Sequence, residues 1–550
     1  MEKRVILAVA LSFLVLYLYR AMYAPSPASE PATNTQAPAT ATTPTKAAPS
    51  EPPKEPESVT ESPASQEVHG EKSEEIAVET PLYRLTFSNT GGMLKSLKLK
   101  SYLDGQGNPL ELINQEAGAK VGWPLAITTE DKSIADQLRN AVFAAKQDPG
   151  QLAMEFAGNG LHARKVLRFN PDNYEFSLET SLTKAGRPIP YSVVWQGTFG
   201  DQSIPQDPNR KNALYQVDSA FKRVGLRSLK DQIQTFASGM VGVEDQYFLA
   251  MFMSGGGEPA SVRVGKQEYA GPDGKPVSTL MVSTAASDKP LRLYVGPKQR
   301  DWLGKADPQL ASALDYGYFG FIAKPLVFAL LWVHSYIGNF GWSIILLTLA
   351  LNLVLFPLRL KQQISMLKMQ KIQPQMRRLQ DQYKKLKAND PRRTQVQTEM
   401  MGLYKEHGVN PMGGCLPILL QMPFLFGFYS ALAYSIELRR APWILWVTDL
   451  SRPDYVFGTI PILAVLMAVC MFVQQKLTPT GNVDPAQAKM MMLMPLLFTF
   501  MFWSQSSGLV LYWLTGSVIG IGQQIFMNKY WSPQAEAKIK ARTRPDSSGA

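Results

Sequence analysis

Cysteine and histidine are scarce in this chain, which has two cysteines and four histidines among 550 residues. Cys415 and Cys470 both lie in or beside apolar runs, so the cysteines offer neither a disulfide framework nor a metal site. The histidines are scattered through the sequence, at His69, His162, His334 and His407. We therefore expect no metal, no cofactor and no redox chemistry.

Motifs of common enzyme sites are also absent. The sequence has no G-x-S-x-G, H-E-x-x-H, G-x-G-x-x-G or G-x-x-x-x-G-K-[ST] pattern. Large β-sandwiches often catalyse sugar chemistry, and in such an enzyme His162 would be the candidate general base. Its context, Leu-His-Ala-Arg, fits a surface strand residue better. The chain is therefore not expected to be an enzyme.

The long apolar runs of the C-terminal third exclude a wholly soluble protein. These runs carry no Asp, Glu or Lys in their centres. Proton relays and ion-coupled transporters need titratable groups inside the membrane, so both classes are excluded.

Positive charge is concentrated in one stretch. Residues 361–415 hold eleven bases and four acids, whereas residues 24–75 hold three bases and nine acids. A basic loop beside apolar spans follows the positive-inside bias of cytoplasmic loops. It also suits anionic lipid headgroups or the ribosome. Specific nucleic-acid binding as the main activity is the weaker interpretation.

The N-terminus begins with an apolar run at residues 5–19 behind Glu2, Lys3 and Arg4. We interpret residues 1–23 as an uncleaved membrane anchor. A cleavable signal peptide is the alternative, because residues 26–28 could supply a cleavage site. Residues 24–75 are rich in Pro, Ala, Thr, Ser and Glu. Such a segment cannot bury enough apolar surface to order itself, so it is expected to be a disordered tether.

Residues 76–310 alternate apolar and polar positions in short runs separated by turn residues. Tyr83, Leu85 and Phe87 alternate with polar neighbours, residues 89–92 supply a turn, and apolar residues follow at even spacing from Met93. This pattern predicts β-hairpins. Their number and the size of the region predict a large extracytoplasmic β-sandwich.

Residues 319–337, within the segment 311–340, are apolar on one side but interrupted by Lys324 and His334. They predict an amphipathic helix lying in the outer interface. Further spans are expected at 341–360, 416–436, 456–474, 490–505 and 508–527. With the N-terminal anchor they make six, which places both termini in the cytoplasm. The loop 475–489 and the basic tail 528–550 would also be cytoplasmic.

The remaining loop, residues 437–455, would lie outside although it is not free of positive charge. It carries Arg439, Arg440 and Arg452, against the positive-inside bias. The acids of the same loop offset these bases in the count, namely Glu437, Asp449 and Asp454.

The basic stretch 361–415 shows a coiled-coil spacing of 3 and 4 from Met369 to Leu386. Asp390 and Pro391 suit the start of a second helix, so the stretch is predicted to be a cytoplasmic helical hairpin, kinked or restarted at Pro374. Its basic outer face includes Lys384, Lys385 and Lys387. A plain solvated hairpin remains the alternative.

Three polar residues share one face of the span 341–360. Thr348, Asn352 and Arg359 fall within 40° of each other at 100° per residue. Further polar groups lie in other spans, at Gln421, Tyr429 and Thr515. Polar residues inside a bilayer by default indicate function. Ordinary hydrogen bonds between packed helices are the alternative.

Four segments together resemble the YidC/Oxa/Alb family of membrane protein insertases. They are NPMGGCLPILLQMP at 410–423, YIGNFGWSIILL at 336–347, DPAQAKMMMLMP at 484–495 and SGLVLYW at 507–513. The resemblance covers the whole chain in the Gram-negative form of the family. It implies an α-helical polytopic membrane protein of the bacterial inner membrane, with a large periplasmic β-sandwich domain.

The resemblance also implies a function as insertase and chaperone for nascent inner-membrane proteins, alone or with the Sec translocon. A hydrophilic groove open to cytoplasm and lipid would take the polar part of the client, lined by Thr348, Asn352, Arg359, Gln421, Tyr429 and Thr515. The client's hydrophobic helix would slide along the third and fifth spans, on Met422, Leu425, Met494 and Phe498. A structural scaffold with dry helix interfaces and a small-solute channel are the alternatives.

The sequence departs from the family pattern at Asn352, where most bacterial members carry an arginine, and also at Ser506 and Trp513. The first departure removes a charge thought to attract acidic client segments. It leaves two mechanisms open: attraction by charge and wetting of the inner leaflet by polar groups.

Overall fold

The structure, a computed structural model, describes residues 67–197, 199–203, 210–229, 233–255, 259–387, 390–407, 416–477 and 485–531. The predicted anchor, most of the tether, most of the C-terminal tail and much of the motif at 410–423 lie outside these residues. Residues 64–482 and 494–550 belong to one compact unit. The contacts described below lie within it.

The N-terminal half is a β-rich domain with three antiparallel sheets. Its strands are, in chain order, β1 (Glu75–Glu79), β2 (Tyr83–Ser88), β3 (Met93–Leu103), β4 (Pro109–Glu111), β5 (Ala126–Thr128), β6 (Ala144–Asp148), β7 (Gln151–Gly158), β8 (Leu161–Phe169), β9 (Glu175–Lys184), β10 (Arg187–Pro188), β11 (Ser192–Trp195), β12 (Asn212–Val217), β13 (Ala220–Gly225), β14 (Gln234–Ser238), β15 (Met240–Glu244), β16 (Phe248–Met253), β17 (Ala260–Ala270), β18 (Pro276–Ala285) and β19 (Leu291–Pro297).

The sheets have the strand orders β1-β2-β3-β4, β13-β12-β15-β16-β19-β9-β8-β7-β6 with β10 beside β9, and β14-β17-β18-β11-β5. Buried residues from all three sheets, such as Leu85, Leu152 and Val262, join one hydrophobic core. The predicted β-rich domain is confirmed, with three sheets around its core. Short helices α1 (Gln115–Val121), α2 (Lys132–Asn140) and α3 (Arg300–Ala306) complete it.

The predicted hairpin of β2 and β3 is confirmed, with Tyr83 opposite Leu99. Its apolar positions Leu85 and Phe87 are fully buried. The turn needs glycine at Gly91, which has φ 70° and where a Cβ would lie 2.7 Å from the Arg139 carbonyl oxygen.

A lysine that has no acidic partner among the described residues is buried beneath this turn. Lys165 on β8 donates from Nζ to the carbonyl oxygens of Gly91 at 2.9 Å, Gly92 at 2.8 Å and Leu125 at 2.9 Å. Burial in the domain core lowers the pKa of Lys165 to about 7. The ammonium group thus ties two loops to a central strand.

The C-terminal half is helical. Its helices are α4 (Gly320–Ile337), α5 (Phe340–Lys385), α6 (Arg392–Glu406), α7 (Leu416–Tyr434), α8 (Ile462–Leu477), α9 (Pro485–Phe502) and α10 (Ser507–Phe526). Gly338, with φ 70°, ends α4, and the Asn339 side chain accepts a hydrogen bond from the Trp342 amide at the start of α5. The break predicted between these two segments is thereby explained.

Helix α5 runs for 46 residues and contains both Pro357 and Pro374. The expected span 341–360 and the first arm of the expected hairpin are therefore one continuous helix, about 69 Å long. Pro374 does not end it, although proline removes one backbone donor.

Three of the described helices are long and apolar enough to cross a membrane, at Gly320–Ile337, Phe340–Lys361 and Ser507–Tyr530. The apolar helices at Met422–Tyr434, Ile462–Leu477 and Met492–Phe502 are shorter. The first of the long ones is the segment expected to lie in the interface. It buries one face, with Ala323 and Leu330, but its exposed face is also largely apolar, with Phe328 and Trp332. This differs from the polar outer face that the predicted amphipathic helix would have.

The segment from Ser435 to Pro461 connects α7 with α8 and contacts the β-rich domain. Arg439 forms an ion pair with Asp201, in which both side chains are buried. Arg439 Nη2 also donates to the Leu103 carbonyl oxygen at 3.0 Å. Nearby, Gln246 Nε2 donates to the Ala433 carbonyl oxygen at 2.6 Å. The end of α7 is thus fixed to the β-rich domain.

Candidate functional site

The polar face of α5 is the centre of the candidate site. Thr348 and Asn352 are both buried. The Thr348 hydroxyl donates to the Ile344 carbonyl oxygen at 2.6 Å, and Asn352 Nδ2 donates to the Thr348 carbonyl oxygen at 2.8 Å. Both donors therefore bond within their own helix. Asn352 Oδ1 is buried without a hydrogen-bond partner among the described residues, which leaves one open acceptor on this face.

Arg359 lies further along the same face and contacts another helix. Its Nη1 donates to Oε1 of Gln523 on α10 at 2.5 Å. Next to it, Gln524 Nε2 donates to Asn528 Oδ1 at 2.9 Å, and Asn528 Nδ2 donates to the Leu477 carbonyl oxygen at the end of α8 at 2.9 Å. Polar side chains thus link the middle of α5 to α10, and the end of α10 to the end of α8.

The predicted groove residues did not include Gln523, which the structure pairs with Arg359. The available signal was a pair of glutamines, Gln523 and Gln524, in an otherwise apolar run. The partner of Gln523 lies 164 residues away in the sequence, so helix periodicity alone does not identify it.

The other predicted groove residues are placed less closely. Tyr429 is half-buried and packs against the apolar core of the helices, and Thr515 is half-buried. In the part of the chain that the structure describes, no hydrogen bond joins either residue to Thr348, Asn352 or Arg359. The side chain of Gln421 lies outside the described residues.

Aromatic contacts join α10 to α7 and to α9. Tyr512 stacks on Phe428 of α7 with ring centroids 4.0 Å apart. On another side, Trp513 packs against Phe498 at 5.3 Å and Phe502 at 5.2 Å. Trp513 is one of the departures from the family pattern, and the structure places it in a packed contact with α9.

The predicted sliding surface is partly buried. Met422 and Leu425 on α7 are half-buried, and Leu425 packs against the helical core. Phe498 is half-buried against Trp513, whereas Met494 is exposed. The exposed apolar face of α9 is wider than predicted and comprises Met492, Leu493, Met494, Leu496, Leu497, Phe500 and Met501.

The predicted hairpin is formed by the second part of α5 and by α6. Ile372 and Met376 on one arm and Val396 on the other are buried, as the seam predicts. The Arg393 guanidinium lies 4.4 Å from the centre of the Tyr383 ring. The basic residues of the expected contact surface are all exposed, namely Lys384, Lys385 and Lys387.

Comparisons with known proteins agree with this architecture. Residues 75–329 match the family model described as YidC periplasmic domain, and residues 332–535 match the model described as 60Kd inner membrane protein. The Membrane protein insertase YidC of Pelobacter propionicus is 35% identical over 96% of this chain and 99% of its own length. That of Citrifermentans bemidjiense is also 35% identical, with the same coverage.

The chain belongs to the YidC family. A crystal structure of an active YidC insertase with its first transmembrane domain resolved is 21% identical, with a TM-score of 0.36, and covers 84% of this chain and 95% of that chain. The resemblance stated from the sequence motifs is confirmed. Members of the YidC family are inner-membrane proteins with a periplasmic domain and are not enzymes.

Proposed function

We propose that this chain inserts nascent proteins into the bacterial inner membrane and helps them to fold. Two relatives that carry the name Membrane protein insertase YidC align with 96% of the chain. The observation in the structure that carries the proposal is the buried, unpartnered Asn352 Oδ1 in a helix apolar enough to span a membrane. A buried acceptor without a partner is costly, and a polar client segment or water would satisfy it.

The groove would work by lowering the cost of moving a polar client segment into the inner leaflet. Of the two mechanisms left open by the sequence, wetting fits the contacts better. Arg359 already donates to Gln523, and it lies about 24 Å from Ser343 along the helix, where cytoplasmic salt screens its charge. Asn352 instead offers an acceptor that water or a client amide can use.

The remaining parts are assigned by their surfaces. The exposed apolar face of α9, which includes Met494, would guide the hydrophobic client helix together with Met422 and Leu425. Methionine side chains adapt to clients of different shape. The basic hairpin would contact the ribosome or anionic lipid. We further propose six spans, cytoplasmic termini and cooperation with the Sec translocon for some clients.

The wetting mechanism is tested by insertion into proteoliposomes, scored as protease protection of one acidic and one neutral single-span client. Asn352→Leu should reduce insertion of both clients about tenfold, because a buried polar partner is worth roughly 1–3 kcal/mol. Arg359→Gln should have a smaller effect, and Asn352→Arg should be tolerated. Leu353→Ala is the matched control, since Leu353 is 62% exposed on the same helix.

The two mechanisms give opposite orders of effect. If Arg359→Gln abolished insertion of the acidic client while Asn352→Leu left both clients unaffected, charge attraction would replace wetting. If neither the wild-type chain nor any variant inserted a client, the proposed function itself would be wrong. Each variant is first checked for expression and for its helical content by circular dichroism.

A further inference from the structure

Two turns of the segment from Ser435 to Pro461 expose large apolar side chains. Leu445 is 81% exposed and Phe457 is 91% exposed. Both have left-handed backbone, with φ 51° at Leu445 and 52° at Phe457. Such positions normally favour glycine, asparagine or aspartate. Leucine and phenylalanine are therefore unexpected at these positions in a turn that contacts only water.

The polar side chains of the same segment bond inward. Asp449 Oδ1 accepts hydrogen bonds from the Arg440 and Ser451 amides, each at 2.9 Å. Asp454 Oδ2 accepts from Trp446 Nε1 at 3.0 Å and from the Leu463 amide at 2.8 Å. The hydrogen bond between Trp446 and Asp454 connects the turn that carries Leu445 to the turn that carries Phe457. Apolar groups therefore face outward while carboxylates face inward.

The position of these turns is given by the helix ends. The segment follows the end of α7 and precedes α8. It also contacts the start of α10, where the Ser507 amide donates to the Arg452 carbonyl oxygen at 2.7 Å and the Gly508 amide donates to the Leu450 carbonyl oxygen at 2.9 Å. The ion pair of Arg439 with Asp201 joins the segment to the domain that matches the periplasmic family model. The turns thus lie at the periplasmic ends of apolar helices.

We propose that Leu445 and Phe457 insert into the outer leaflet of the membrane as two apolar tips. The residues beside them have the amphipathic rings that favour membrane interfaces, with Trp446 and Tyr455 both partly exposed. Arg452 is also partly exposed and could contact lipid phosphates. Because the segment is also bound to the periplasmic domain, the tips would hold that domain at a fixed height above the bilayer.

The test measures the depth of each tip in proteoliposomes that contain the full chain. Cys415 and Cys470 are replaced by alanine, and Leu445→Cys or Phe457→Cys is labelled with the environment-sensitive dye NBD. Two reference positions are labelled in the same way. Asn159→Cys, in the exposed turn between β7 and β8, represents water, and Val354→Cys, at a residue 76% exposed on α5, represents lipid.

The expected result is that the dye at both tips is quenched by nitroxide-labelled lipids and shielded from aqueous iodide, as at the Val354 reference. Its emission should also be shifted to the blue relative to the Asn159 reference. Quenching by iodide and not by nitroxide lipids would show tips in water and overturn the proposal. Shielding from both quenchers would show that protein covers the tips, which would overturn it equally. None of these outcomes depends on insertase activity.

Discussion

Removal of the Arg439 side chain should release the segment from Ser435 to Pro461 from the periplasmic domain. Arg439 and Asp201 are 4% and 0% exposed, and Arg439 Nε lies 2.8 Å from Asp201 Oδ2. The guanidinium also lies 5.9 Å from the centre of the Phe248 ring. In the variant Arg439→Ala the Asp201 carboxylate stays buried and loses its ion pair with Arg439.

The size of the effect follows from this burial. Breaking a buried ion pair by removing one partner costs up to about 3–5 kcal/mol, because the remaining charge stays buried without that partner. If that cost falls on the docking of the segment, amide protection there should decrease by up to about 10²- to 4 × 10³-fold, since each 1.4 kcal/mol is tenfold. The reporting amides include that of Leu450, which donates to the Ala441 carbonyl oxygen at 2.9 Å.

Hydrogen exchange followed by mass spectrometry on the full chain in lipid nanodiscs measures this protection. The matched control is Arg452→Ala, because Arg452 is 40% exposed in its pair with Asp449 and such pairs contribute less than about 1 kcal/mol. Combining Arg439→Met with Asp201→Asn should recover most of the protection, since both charges of the buried pair are then removed together. Unchanged exchange in Arg439→Ala, or equal loss in the Arg452 control, would refute the reasoning.

Three further predictions concern other parts of the chain. Burial lowers the pKa of Lys165 to about 7 from 10.5, so the unfolded chain binds more protons than the folded chain between these two pH values. As the pH rises across that range, thermal unfolding should show the wild type gaining up to about 5 kcal/mol of stability relative to Lys165→Met. A stability difference that does not change with pH would contradict this. Replacing Lys384, Lys385 and Lys387 by Glu reverses the charge of the basic hairpin surface and should reduce client crosslinking at low salt, with little difference at high salt. Unchanged crosslinking at low salt would argue against a guiding role of the hairpin. Deletion of residues 90–290 should leave insertion in vitro intact, whereas deletion of residues 319–337 should stop it. If the protein lacking residues 90–290 were well expressed but inactive, this assignment would be wrong.

Local patterns in the sequence were sufficient where neighbouring residues determine the structure. The alternation around Leu85 predicts the hairpin of β2 and β3, whose pairing begins with Tyr83 opposite Leu99, because one face of a half-buried strand must be apolar. The break expected between residues 337 and 341 is likewise local, since Gly338 ends α4 and the Asn339 side chain caps α5. In the candidate site, helix periodicity places Thr348 and Asn352 one turn apart, and the structure joins them by a hydrogen bond.

Contacts between distant segments could not be predicted in the same way. Gln523 and Arg359 meet only because α5 and α10 pack together, and neither helix pattern specifies the partner. The sequence also left open whether α5 is kinked or restarted at Pro374, and the structure shows one helix that does not restart there. A proline removes one backbone hydrogen bond, but the seam that buries Ile372 and Met376 on either side of it supports the helix across that gap.

The arginines of the loop 437–455 show how such distant contacts change a conclusion drawn from charge counting. The count predicts that acids of the loop itself offset them, and Asp449 does pair with Arg452. Arg439, however, pairs with Asp201, 238 residues earlier. Among the described residues Asp454 pairs with no arginine and instead accepts the Leu463 amide at the start of α8. The positive-inside bias concerns cations that must stay on one side of the membrane. An arginine neutralised within the periplasmic domain no longer opposes that bias, which supports the proposed outer location of the loop better than the count did.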